Sequence, residues 1–164
     1  MTAQTAEALD IFLFYAIMVL YLYTHLFDKK GEDSMKNSRL TVLFAPLLAL
    51  VLELLPWGTV VYFFDPALGR YRNVYSYFSL VPFGYANVGP FFTALATCVL
   101  LVLLILYVFK GKRSVLLAAT GVSCVVFLVS LTAMPYGVTM VGVLVTVMLL
   151  VSSVLLILKA KKSN

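Results

Sequence analysis

Residues 57–90 read WGTVVYFFDPALGRYRNVYSYFSLVPFGYANVGP, and this stretch sets the plan of the chain because nothing on either side resembles it. It holds the single Trp and five of the ten Tyr, and it carries Arg70 and Arg72 away from every other basic residue. It is too polar for a membrane span and too aromatic for a plain charged loop. Within it, residues 59–64 and 71–80 are rich in β-branched and aromatic side chains, as strands are. Between them Asp65-Pro66 favours turn initiation, and Gly69 supplies a residue that accepts positive φ. The spacing predicts a β-hairpin, with residues 81–89 returning the chain to the next apolar run. An isolated hairpin is marginal in water, so this one needs support from its surroundings.

The flanking segments are apolar runs. The 164-residue chain is 63% hydrophobic and 12% charged, with a mean hydropathy of +1.04. A soluble domain carries roughly 25% charge, so composition alone points to a membrane. The runs fall at about residues 9–27, 40–56, 91–109, 115–134 and 138–158. Each approaches the ~20 residues a helix needs to cross a ~30 Å hydrocarbon core, where backbone polar groups must be bonded internally. Gly89-Pro90 suits a helix start, since proline at the first position lacks only an N–H that has no partner there. The connection at Pro135-Tyr136-Gly137 is short enough to make the last two runs an antiparallel pair. The expected fold is therefore all-α: one integral membrane domain of five transmembrane helices, with a short extracytoplasmic β-hairpin in the outer loop 57–90.

Charge orients this bundle. The net charge of +5 does not point to nucleic acid, because ten of the twelve basic residues lie in three clusters beside apolar runs. These are Lys29, Lys30, Lys36 and Arg39; Lys110, Lys112 and Arg113; and Lys159, Lys161 and Lys162. With five spans all three clusters share one side and only Arg70 and Arg72 face the other, which by the positive-inside rule places the N-terminus outside and the C-terminus in the cytoplasm. The expected location is the cell inner or plasma membrane. The N-terminus carries Glu7 and Asp10 and lacks the basic start of a signal peptide, so the first span is expected to be retained.

No catalytic constellation emerges. His25 is the only histidine, and with Cys98 and Cys124 far apart it makes no zinc site. The two cysteines read as small core residues. Gly121-Val122-Ser123-Cys124 lacks the second glycine of a nucleophile elbow. Neither enzyme activity, cofactor nor metal is expected. Ala119 and Ser123 form a small-xxx-small pair that suits helix packing within the bundle better than a dimer face.

Two groups of candidates remain. Trp57, Tyr62, Arg70, Arg72, Tyr75 and Tyr77 are candidate contacts for a partner or for lipid headgroups, since Tyr, Trp and Arg are favoured at interaction hot spots. Glu53 and Asp10 are candidate intramembrane acids, costly in a bilayer and for that reason suggestive of a role. Glu53 lies three residues before Pro56, near the outer interface, where pairing with Arg70 or Arg72 is expected. The segment YSYFSLVPFGYANVGPFFTAL, residues 75–95, resembles a segment of small uncharacterised multi-pass integral membrane proteins of bacteria. The resemblance implies a bacterial membrane protein and no particular chemistry. The function expected is an accessory, scaffold or interaction subunit using the outer aromatic loop. The alternative is a small oligomeric transporter or channel subunit using Glu53. Expected partners are membrane lipids and either a membrane protein or further copies of the chain.

Overall fold

The computed structural model describes residues 35–66, 69–84, 87–132 and 139–162. The expected first span at 9–27, with Asp10 and His25, lies outside the described residues, as does the Pro135–Gly137 connection.

The described chain is mostly helical. Helix α1 spans Met35–Leu54 and continues through Pro46. Strands β1 (Thr59–Asp65) and β2 (Gly69–Tyr75) follow, then a single helical turn α2 (Leu80–Gly84). Three long helices complete it: α3 (Gly89–Lys110), α4 (Arg113–Leu131) and α5 (Met140–Lys162). These three are long and apolar enough to cross a membrane. The apolar part of α1, Leu40–Leu54, is shorter than a typical span. It begins after Arg39, and Pro56-Trp57-Gly58 turns the chain soon after its end.

Local chemistry sets the helix boundaries. Pro90 sits in the first turn of α3, where its missing N–H has no partner to lose. At the other end Gly111 adopts φ +62° and donates its N–H to the Tyr107 carbonyl over 2.8 Å, the left-handed cap that glycine favours. Helix α4 then starts after Lys112, so α3 and α4 run antiparallel.

The helices pack in a ring, α1 against α3 and α5, α3 against α4, and α4 against α5. One core layer joins Val42, Leu100, Leu104, Tyr107, Leu116, Ala119 and Leu156. A second, nearer the hairpin, joins Ala49, Tyr77, Ala94, Val126, Val145, Met148 and Leu149. Ala119 and Ser123 both face inward, and Ser123 meets Ser153 of α5 at 2.9 Å between hydroxyl oxygens. The small residues thus serve packing inside the bundle.

This layering puts the C-terminal ends of α3 and α5 and the start of α4 together, far from the hairpin. Lys159 places its Nζ 5.9 Å from the centre of the Tyr107 ring, a cation–π contact at that end. Two of the basic clusters read from the sequence therefore share one end of the bundle, and the hairpin occupies the other.

Candidate functional site

At the hairpin end a ribbon is seated against the end of α1 and the start of α5. The strands pair antiparallel from Thr59 opposite Tyr75 to Asp65 opposite Gly69, and Gly69 takes φ +74° where the turn requires it. Gly58 N–H extends the pairing by donating to the Tyr75 carbonyl over 3.0 Å.

The seat is a node of small residues around Tyr77. A Cβ at Gly58 would lie 2.5 Å from Cδ2 of the Tyr77 ring, so only glycine fits there. Gly142 is similarly confined by Thr139, the Gly58 carbonyl and the Tyr77 hydroxyl, at 2.9, 3.0 and 3.2 Å from the position of a Cβ. Thr139 links the parts: its Oγ1 donates to the Gly58 carbonyl over 2.7 Å and accepts the Gly142 N–H over 2.9 Å. The second contact caps the start of α5, the role for which Thr is favoured just before a helix. Asn87 Nδ2 donates to Thr59 Oγ1 over 3.2 Å and ties the return segment to β1. Burial pushes the Tyr77 phenol above its ordinary range and keeps it protonated.

Glu53 lies beneath this seat, fully buried one residue before the end of α1. Its backbone carbonyl accepts the Tyr77 N–H over 3.1 Å. Its Oε1 lies 2.8 Å from Thr97 Oγ1 on α3, and Oε2 is buried with no hydrogen-bond partner. The expected pairing with Arg70 or Arg72 does not form. Both arginines lie on the exposed strand β2, whereas Glu53 turns inward to α3. Burying a guanidinium would cost several kcal/mol (order of magnitude), and the strand leaves both in solvent instead.

Thr59, Val60 and Val61 are buried, but from Tyr62 outward the strands are exposed or half-buried. Strand alternation sorts the side chains into two faces. One carries Tyr62 opposite Arg72 and Phe64 opposite Arg70, with Val74 alongside, and all five are exposed. Phe64 is 74% exposed. The other face carries Phe63 stacked on Tyr71, with ring centres 5.3 Å apart, and Asn73 beside them.

Of the aromatic and basic candidates, then, Tyr62, Arg70 and Arg72 come together on one exposed face, and Trp57 is exposed at the base of the ribbon. Tyr75 is half-buried. Tyr77 is only 1% exposed and belongs to the seat, not to a contact surface. Regular strand ends at Tyr75, so the alternation of β2 no longer governs Tyr77. Sequence reading missed Phe64 as part of the face, and missed Thr97, Asn87, Gly58 and the linking role of Thr139. Thr139 had a signal, a capping residue type at the start of an apolar run. The Thr97–Glu53 contact, 44 residues apart, had none.

Among the described residues no three His, Cys, Asp or Glu side chains converge as metal ligands, and Cys98 and Cys124 are separate free thiols. No protein-family model, curated protein or solved structure matches the chain.

Proposed function

We propose that this chain is a non-enzymatic multi-pass membrane protein, an accessory or interaction subunit that engages a membrane-protein partner through its ribbon. In this reading the five spans run from an outer N-terminus to a cytoplasmic C-terminus in the cell inner or plasma membrane. The ribbon then stands on the outer side. The partner is an acidic, aromatic-tolerant segment that lies on the face formed by Tyr62, Phe64, Arg70 and Arg72.

The observation that carries the reading is the exposure of that face. Two aromatic rings and two guanidinium groups alternate across paired strands, and all four side chains are exposed. A two-stranded ribbon is marginal alone in water, so a cover on this face adds stability as well as affinity. Arginine suits an acidic partner because its planar fork meets a carboxylate through two hydrogen bonds.

The test is mild cross-linking in native membranes followed by isolation of the protein with whatever accompanies it. A stoichiometric partner that is lost in the Arg70→Ala/Arg72→Ala double variant, with membrane insertion unchanged, supports the reading. Equal recovery from both proteins removes it.

A second reading rests on Glu53. A small oligomeric transporter or channel subunit would use this carboxyl to handle an ion, and its full burial with one oxygen unpartnered favours a role beyond packing. Reconstituted vesicles decide this: flux abolished by Glu53→Gln supports transport, and flux indistinguishable from empty vesicles removes it.

A further inference from the structure

We propose that Glu53 is a proton-binding site: it holds a proton as the neutral carboxylic acid and donates it in a hydrogen bond to Thr97, beneath the hairpin seat. The inference stands whether or not the ribbon face binds a partner.

Hydrogen-bond counting carries it. Thr97 Oγ1 lies 2.8 Å from Glu53 Oε1 and 2.9 Å from the Thr93 carbonyl. Neither of those oxygens brings a hydrogen if Glu53 is ionised, and a threonine hydroxyl owns a single proton. It would then satisfy one contact and leave the other empty. A neutral Glu53 resolves both. Its O–H, on Oε1, donates to Thr97 Oγ1, and the Thr97 O–H donates onward to the Thr93 carbonyl. The remaining oxygen, Oε2, becomes the carbonyl of the acid. It is buried without a partner, a modest cost for a neutral carbonyl and a large one for an oxygen sharing a full charge.

Among the described residues no cation faces the Glu53 carboxyl. From the turn after β2 the titratable neighbour is Tyr77, and from α3 it is Cys98; neither is a cation. On α3 and α5 the described basic residues, Lys110 and Lys159, Lys161 and Lys162, lie at the opposite end of the bundle. On α1 the basic residues are Lys36 and Arg39, roughly 20 Å or more back along the helix. On the ribbon, Arg70 and Arg72 are exposed, and Asp65 is an acid near its tip. Since Glu53 also accepts the Tyr77 N–H through its backbone, the proton sits where α1, α3 and the hairpin seat meet. Losing it would place a bare charge under Tyr77 and loosen the seat.

The test is infrared spectroscopy of the purified full-length protein in lipid nanodiscs, with glutamate carrying a carbon-13 carboxyl. Glu7 and Glu32 are the only other glutamates. At neutral pH a protonated-acid carbonyl band is expected, absent in Glu53→Gln. That variant should retain hydrogen-exchange protection over residues 59–75, because its amide N–H replaces the acid O–H as donor to Thr97. Only ionised carboxylate bands in the wild-type spectrum would overturn the proposal. If Glu53→Gln does not fold, Thr97→Val decides. The acid band should move to higher frequency when its acceptor is removed, and a band that stays in place contradicts the assignment.

Discussion

Gly58 and the Tyr77 ring are in such close contact that even one methyl group at position 58 would overlap the ring, 2.5 Å from Cδ2. The contact joins the first residue before β1 to a residue beyond β2, so it closes the base of the ribbon. Gly142 of α5 closes the same node from below. The ribbon's attachment therefore depends on a few small residues at its base.

Gly58→Ala should force Tyr77 to move, and overpacking of this kind costs about 1–3 kcal/mol. Hydrogen exchange should show faster exchange across residues 59–75, with α3, α4 and α5 protected as before. Loss of protection throughout the bundle would mean that the seat holds the whole fold together, not the ribbon alone.

Thr139→Val should remove two hydrogen bonds at once, the cap on α5 and the link to the Gly58 carbonyl. Loss of such a cap costs ~1 kcal/mol, and the Gly58 carbonyl adds to it. Thr139→Ser keeps the hydroxyl and should unfold close to wild type in a denaturation series. Equal loss in both variants would assign the effect to the methyl group instead.

Ser123 and Ser153 should show a small coupling. Hydrogen bonds between membrane helices average about 0.6 kcal/mol in double-mutant cycles. A cycle of Ser123→Ala and Ser153→Ala, measured by unfolding in mixed micelles, should give a value of that order. Zero coupling would leave close packing alone to hold α4 on α5.

Much of this architecture was legible in the sequence because it follows from local rules. Asp65-Pro66 and Gly69 marked the turn, Gly89-Pro90 marked the start of α3, and the lysines at 110, 112 and 159–162 marked one end of the bundle. Apolar runs announced α3, α4 and α5. The candidate site was legible only in part. Tyr62, Arg70 and Arg72 were recognisable as interaction-type residues on a hairpin, but residue type alone did not separate them from Tyr77, which lies past the end of β2. Glu53 was recognisable as a costly acid, yet its partner was misjudged. Charge complementarity favoured Arg70 or Arg72, while the fold brought a hydroxyl from α3 and left the arginines in solvent. Contacts between residues 44 positions apart depend on how helices pack, which no short-range pattern records.

The most direct measurement of the central claim is site-specific photo-cross-linking in native membranes, with the photoreactive side chain placed at Tyr62 or at Asn73. The two positions lie on opposite faces of the same ribbon, and both side chains flank its exposed part. A protein partner captured strongly from position 62 and weakly from 73 is the predicted result. Capture from 73 alone, or cross-links to lipid with no protein from either position, would contradict it.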